Sequence, residues 1–175
     1  MRAGRCPPEP AIRGFLSLGL PPKAGTVGHM PISIAVAADH AGFQLKDLIA
    51  AHLNERGYEV LDLGTNSPDR VDYPDFGAAL GRSVAAGDAH LGIGVCGSGI
   101  GIGMAANKVH GVRAAVVHDE TSARLAREHN NANVLCMGER LIGEAVAIAA
   151  VDEWLDAEFQ GGRHTGRVQK LDELI

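Results

Sequence analysis

The sequence predicts a three-layer, Rossmann-like α/β sandwich around a five-stranded parallel sheet. Three observations support this fold class. From residue 32 onwards, apolar runs that suit buried strands alternate with segments of helical periodicity. Hydrophobic residues make up 46% of the 175 residues but aromatic residues only 4%, so the core must consist of small aliphatic side chains. The 23 glycines allow the layers of such a fold to pack closely.

Each predicted element follows from a local pattern. Apolar runs predict strands over residues 32–38, 58–63, 91–95, 112–117 and 134–137. Helical spacing or a plausible start signal predicts helices over residues 43–56, 74–86, 104–109, 120–128 and 143–158. Gly57 and Gly87 stand where the first two helices should stop. Continuous apolar strands separated by helices favour a parallel sheet that is covered on both faces.

The chain divides into three segments of different composition. Residues 1–30 carry a net charge of +3, whereas the remainder carries −8, and six of the eight prolines lie within the first 31 residues. We therefore expect residues 1–30 to form a disordered or loosely attached extension, with Met30 as a working start. Residues 31–160 are expected to form the folded domain. Gly161-Gly162 then directs a tail, residues 161–175, towards a neighbouring subunit.

Composition excludes several classes of function. The net charge of −5 gives no reason to expect nucleic acid or an anionic membrane surface as a partner. No apolar run reaches the length of a membrane span. The three cysteines include no C-x-x-C pair, so neither a disulfide framework nor a zinc site is indicated. Reduced thiols fit a cytoplasmic protein best.

Polar and reactive residues concentrate at the predicted carboxyl ends of the strands, where parallel α/β sheets bind ligands. The most informative stretch is Cys96–Gly103, which has glycine at every second position from Gly97. These glycines let backbone N–H groups approach a bound anion. The dipoles of the loop and of the following helix favour a thiolate at Cys96. The loop is therefore expected to carry chemistry as well as to bind.

The residues leave alternatives open at each of these positions. Residues 101–106 match a G-x-G-x-x-A dinucleotide fingerprint, but two strand–helix units precede them. A glycine-rich turn kept for packing and a buried, inert Cys96 are structural alternatives. Asp39 or His40 could serve as a helix N-cap instead of a ligand. Arg163 and Arg167, four residues apart, would share one helix face, where they suit either a phosphate or solvent.

Taken together, the motifs resemble the type B ribose-5-phosphate isomerase family, which also includes isomerases of hexose phosphates. The resemblance runs from about residue 32 to the C-terminus, and residues 1–30 have no counterpart in it. It rests on residues 38–43, 72–75, 96–103, 105–108, 128–131, 133–135 and 161–167. Dispersed motifs in a shared order are far more specific than any one of them.

The resemblance implies an aldose–ketose isomerase that works through a cis-enediolate, without a metal or other cofactor. It implies catalytic roles for Cys96 as the base, Ser98 at the hydroxyl proton, His129 in ring opening and Asp39 at the ring hydroxyls. Backbone N–H groups of Gly97, Ser98, Gly99, Ile100 and Gly101 would stabilise the enediolate oxygen. The phosphate would be held by His40, Arg140, Arg163 and Arg167, and the sugar site would be lined by Tyr73 and Asn130.

The resemblance also implies a phosphosugar substrate and a homodimer, or a dimer of such dimers, whose active sites combine residues of both subunits. One branch of the family uses a glutamate as the base, at the position that Ile102 occupies in this sequence. Isoleucine cannot accept a proton, so the chain resembles the cysteine branch. A hexose-6-phosphate isomerase on the same scaffold and a nucleotide-binding regulatory module are the alternative functions.

Overall fold

A computed structural model describes residues 32–174, so the extension predicted for residues 1–30 lies outside the described residues. The strands are β1 (Ser33–Ala38), β2 (Glu59–Asp62), β3 (Leu91–Cys96), β4 (Ala114–Val116) and β5 (Val134–Gly138). The helices are α1 (Phe43–Glu55), α2 (Tyr73–Ala86), α3 (Ile100–Ala106), α4 (Glu120–Asn130), α5 (Glu144–Asp156) and α6 (Thr165–Asp172), with a 3₁₀ turn at Gly162–His164. None of the helices described is long and apolar enough to cross a membrane.

All strand pairs of the five-stranded sheet are parallel, in the order β2-β1-β3-β5-β4. The chain leaves β1 towards β2 and returns on the other side of β1 as β3. The carboxyl ends of β1 and β3 therefore flank the point where the strand order reverses, which is where open α/β sheets bind ligands. Ala38 pairs with Val95, so Asp39 and Cys96 follow at the same edge of the sheet.

Helices cover both faces of the sheet and enclose two separate cores. One core joins the sheet to α1, α4 and α5 and includes the fully buried Trp154. The other joins it to α2 and α3 and includes the fully buried Leu80 and Ile102. The predicted three-layer α/β sandwich with a five-stranded parallel sheet is thus confirmed, and its core is mainly aliphatic as the composition required.

Two predicted elements differ from the structure near the expected site. α3 begins at Ile100, inside the glycine-rich segment, and not at residue 104. The reason is that Gly99 takes the left-handed turn (φ 76°), which starts the helix at once. Arg163 lies in the 3₁₀ turn, whereas Arg167 lies in α6, so they do not share one helix as expected. Positive φ angles at Gly161 and Gly162 change the direction of the backbone just before these arginines.

The contact between α2 and α3 depends on glycine. A Cβ added at Gly77 would lie 2.6 Å from the carbonyl oxygen of Ile102. One turn later, a Cβ at Gly81 would lie 2.9 Å from the side chain of Val109. The two helix backbones therefore approach each other more closely than any side chain would allow, and this fixes α3 and the loop that precedes it.

We expect Gly77→Ala to lower the free energy of unfolding by about 1–3 kcal/mol, because overpacking outweighs the better helix propensity of alanine. Gly166→Ala is the matched control, since Gly166 is also helical but no atom lies within 4 Å of its added Cβ. That control should keep or slightly raise stability. Urea unfolding measures both variants, and an unaltered midpoint for Gly77→Ala would contradict the close helix contact.

Candidate active site

A cleft of about 590 Å³ opens at the carboxyl ends of β1 and β3. Most of the residues that the sequence predicts for the site line it, namely Asp39, His40, Tyr73, Cys96, Gly97, Ser98, Ile100, Gly101 and Arg140. Gly99 belongs to the same loop but is buried and does not line the cleft. The position agrees with the strand-order reversal, so the fold itself explains why these distant sequence segments meet.

The turns around the cleft pack backbone against backbone. A Cβ at Gly42, in the β1–α1 turn, would lie 2.6 Å from the carbonyl oxygen of Val95. A Cβ at Gly138, at the end of β5, would lie 2.5 Å from the carbonyl carbon of Ser98. Because neither contact leaves room for a side chain, the loop after β3 is held rigidly from both sides.

Cys96 is the last residue of β3, and although it is only 3% exposed it borders the cleft. Its Sγ accepts a hydrogen bond from the N–H of Gly99 at 3.1 Å. The first turn of α3 starts at the next residue, so further N–H groups there lack intrahelical partners. Burial, followed by the charge of nearby Cys96, raises the pKa of Cys136 to about 12, so Cys136 remains a thiol in the core. The two cysteines described therefore occupy chemically different sites.

Asp39 and His40 are not helix caps. The N-cap of α1 is Gly42, without a side-chain cap, so that alternative is wrong. The carboxylate of Asp39, a residue 6% exposed, accepts a hydrogen bond from the N–H of Ala41 at 2.9 Å. The Nδ1 atom of His40 lies 3.1 Å from the carbonyl oxygen of Val71, in the loop before α2. Both side chains are thus oriented by backbone groups beside the cleft.

Arg140 is placed by its own backbone and by its neighbour Glu139. The Arg140 N–H donates to the carbonyl oxygen of Gly97 at 3.2 Å, and the Glu139 N–H donates to that of Cys96 at 3.0 Å. The Glu139 carboxylate also accepts the N–H of Leu45, in the first turn of α1, at 3.0 Å. Sequence reasoning missed Glu139, because its partner lies 94 residues away and no local pattern signals the contact.

Tyr73, the first residue of α2, lies over the glycine loop. A Cβ at Gly101 would lie 2.7 Å from Cε2 of its ring. The ring is partly exposed and forms one wall of the cleft, beside the exposed apolar side chains of Met104 and Leu141. Sequence reasoning did not find Met104 or Leu141, since their exposure depends on the fold.

The other four predicted residues, His129, Asn130, Arg163 and Arg167, do not line this cleft. His129, near the end of α4, stacks on His164 of the tail, with ring centroids 4.4 Å apart and planes 5° from parallel. The Nε of Arg163 donates to Nε2 of His164 at 3.3 Å. Burial, followed by the charges of His129, Arg163 and Arg167, lowers the pKa of His164. We call this second, basic group the tail cluster; it consists of His129, Arg163, His164 and Arg167.

The predicted set is therefore divided between two places in one chain, the cleft and the tail cluster. Asn130 lines a different cavity, together with Arg113. His164 was not predicted as a site residue, although it stands between the two predicted arginines of residues 161–167. A single chain does not bring both groups to one point, which is the arrangement expected if each site takes residues from two subunits.

Comparisons with known proteins place this geometry in context. Residues 34–171 match the family model described as Ribose/Galactose Isomerase. The chain is 49% identical over 141 residues to ribose-5-phosphate isomerase B of Escherichia coli, covering 81% of this chain and 95% of that protein. A solved ribose-5-phosphate isomerase B of Clostridium thermocellum is 51% identical, with a TM-score of 0.81 over 82% of this chain and 97% of that one.

A third similar protein was solved with a ligand. It is ribose-5-phosphate isomerase B of Mycoplasma genitalium with bound ribulose-5-phosphate. It is 46% identical to this chain and superimposes with a TM-score of 0.79, covering 83% of this chain and 97% of that one. The similarity extends over almost the whole length of each of these proteins and nearly all the residues that the structure describes.

We expect Gly101→Ala to destabilise the protein by about 1–3 kcal/mol, because the added methyl overlaps the ring of Tyr73. The penalty should shrink in a Tyr73→Ala background, where the ring is absent. Thermal unfolding of the two single variants and the double variant measures this coupling. Equal penalties in both backgrounds would contradict the contact between Tyr73 and the loop.

Proposed function

The chain belongs to the ribose/galactose isomerase family, and from this premise we propose that it interconverts D-ribose 5-phosphate and D-ribulose 5-phosphate. The observation that carries the proposal is the thiol of Cys96 at the switch-point cleft, hydrogen-bonded to the Gly99 N–H. The similar proteins that are named for this activity support the choice of substrate. We infer that this reaction serves the pentose phosphate pathway, and the reduced thiols expected from the sequence suit a cytoplasmic protein.

Proton transfer is the role of Cys96. In the aldose-to-ketose direction its thiolate takes the proton from C2, which leaves a cis-enediolate with a double bond between C1 and C2. The same proton is then returned to C1, and the carbonyl group forms at C2. The hydroxyl of Ser98 moves the proton between the two substrate oxygens. The Gly99 N–H donor solvates sulfur when it is anionic, in a place where bulk water has little access.

The glycine loop stabilises the charge that develops on the enediolate oxygen. The turn of Gly99 starts α3 beside the thiol, so residues 97–101 lie at a helix start, where the first N–H groups have no intrahelical partner. Before substrate binds, the Gly99 N–H donates to Sγ of Cys96 and the Ile100 N–H donates to Oγ of Ser98 at 3.4 Å. Removing one preorganised donor from an oxyanion-binding site typically costs about 3–4 kcal/mol of barrier. The backbone contacts of Gly42 and Gly138 keep them in place during the reaction.

Binding and ring opening use the remaining residues. His129 opens the furanose as an acid, while Asp39 holds the ring hydroxyls. His40, Arg140, Arg163 and Arg167 bind the phosphate, for which forked guanidinium donors are well suited. Tyr73 and Asn130 line the sugar site.

The working unit in this proposal is a homodimer in which the tail cluster of one subunit completes the cleft of the other. Two features support it. The cleft holds Cys96 without His129, Arg163 or Arg167. Its rim exposes Met104 and Leu141, at 65% and 56%, which a second subunit would cover. A dimer has the two-fold symmetry that makes both sites equivalent.

We expect the chain to turn over ribose 5-phosphate faster than allose or galactose 6-phosphate. Cys96→Ala should lower kcat on all of them by roughly 10³-fold or more, because the proton acceptor is lost. Cys136→Ala is the matched control and should stay active, since that thiol is fully buried in the core and does not line the cleft. Coupled assays and calorimetric substrate binding to Cys96→Ala check this. Near-normal turnover by that variant would reject the thiol as base.

Mixing two inactive variants tests the shared site. Cys96→Ala and His129→Ala should each be inactive alone, while a refolded equimolar mixture should recover about a quarter of wild-type activity, because half of the dimers then contain one intact site of two. The mixture of Cys96→Ala with Ser98→Ala is the control, since both changes lie in the same cleft and should not complement. Absence of recovery in the first mixture would reject a site built from two subunits.

A further inference from the structure

The described part of the tail, residues 161–174, carries Arg163 and Arg167 but is attached to the rest of the protein at few points. Just before it, the Gln160 N–H donates to the carbonyl oxygen of Glu128 at 3.0 Å. His164 then stacks on His129. Both contacts precede Arg167, which lies within α6. The position of Arg167 therefore depends on what holds the far end of that helix.

Apolar packing holds the far end only weakly. α6 has eight residues, too few for a stable isolated helix, and Val168 is its buried residue. Leu171 is 44% exposed, and beyond the helix Leu174 is 78% exposed. Both border a cavity of about 420 Å³ between α6 and the body of the protein. Because apolar packing is incomplete here, the orientation of α6 depends on polar contacts.

Arg113 supplies the polar contact. Its Nη1 donates to the carboxylate of Asp172, in the last turn of α6, at 2.8 Å. Its Nε donates at 2.9 Å to the carbonyl oxygen of Asn131, the residue that ends α4 directly after His129 and Asn130. The side chain of Arg113 is 17% exposed and that of Asp172 is 41% exposed, so solvent screens the ion pair from the Asp172 side, while the guanidinium itself is held largely out of water.

The backbone of Arg113 is itself fixed to the sheet. Its N–H donates to Oδ1 of Asn133 at 2.7 Å, and Nδ2 of Asn133 donates to the carbonyl oxygen of Gly111 at 2.9 Å. Arg113 thus lies at a rigid point just before β4 and reaches both elements that carry the tail cluster. A guanidinium can do this because its donors form a planar fork that engages two acceptors at once.

We propose that Arg113 is a positioning residue, which uses its pairs with Asp172 and Asn131 to hold α6 against the end of α4 and so fixes Arg167 for phosphate binding. Arg113 itself contacts no substrate. The inference rests on the proposed function for the role of Arg167. Without the Asp172 anchor, α6 would pivot about the His129–His164 stack, and the guanidinium of Arg167 would leave its productive position.

Asp172→Asn tests the anchor, with Glu173→Gln as the matched control, because Glu173 is the next residue and is exposed. We expect Asp172→Asn to raise KM for ribose 5-phosphate, and the inhibition constant of inorganic phosphate, by roughly five- to tenfold, with kcat changed less than about threefold. Glu173→Gln should match wild type. In an Arg167→Ala background, Asp172→Asn should add little to KM, because the group that it positions is gone.

The outcomes separate this inference from the function on which it rests. Equal KM values for Asp172→Asn and Glu173→Gln in an active enzyme would overturn the positioning role alone. Additive effects of Asp172→Asn and Arg167→Ala would also overturn it. An inactive wild type would reject the proposed function, and calorimetric binding of inorganic phosphate to the same variants would still test the anchor. Arg113→Met should raise KM for ribose 5-phosphate, and Arg113→Lys should raise it less but still above the wild-type value, because an ammonium lacks the planar fork of a guanidinium. A wild-type KM for Arg113→Lys would contradict the role of the fork.

Discussion

The site depends on one constraint, the direct contact between backbone segments at the carboxyl edge of the sheet. The turn after β1 touches the end of β3 through Gly42, and the end of β5 touches the glycine loop through Gly138. Gly99 completes the arrangement, since its Cβ would lie 2.7 Å from the carbonyl carbon of Met137. Because these contacts are between main chains, the loop has little freedom to relax. The hydrogen bond from Gly99 to Cys96 and the place of Arg140 beside Gly97 both follow from it.

The sequence predicted the sheet and much of the cleft, because apolar runs and residues at strand ends are local signals. From the sequence, the glycines of the loop are expected to expose N–H groups, and the alternative is that they are required for close packing. The structure shows that packing is part of the answer, since Gly101 makes room for Tyr73 and Gly103 for Val116. Contacts between distant segments could not be predicted. Glu139 and Arg113 bind partners with no matching local pattern, and the change of direction at Gly161 depends on φ angles that glycine merely permits.

Electrostatics distinguishes the tail cluster from the cleft. His164 lies among His129, Arg163 and Arg167, and burial together with these charges lowers its pKa. A neutral imidazole can accept the hydrogen bond from Arg163, which a charged one could not. The positive charge of the tail cluster therefore lies mainly on the guanidinium groups of Arg163 and Arg167, and the His164 ring lies between them. In the proposed homodimer, a phosphate would bridge this cluster to the cleft of the other subunit.

The orientation of α3 also bears on which residue acts as the base. Ile102 is fully buried, and its Cδ1 lies 3.4 Å from a Cβ placed at Gly94, so its side chain points into the core between α3 and the sheet. A carboxylate on this backbone would enter an apolar cluster, at a cost of several kcal/mol, and would not face the cleft. Gly77 fixes this rotation of α3 by contacting the Ile102 carbonyl. An exchange of thiol for carboxylate would therefore require the helix to turn, so the proposed choice of Cys96 as the base depends on the packing of α2 against α3 as well as on the cysteine itself.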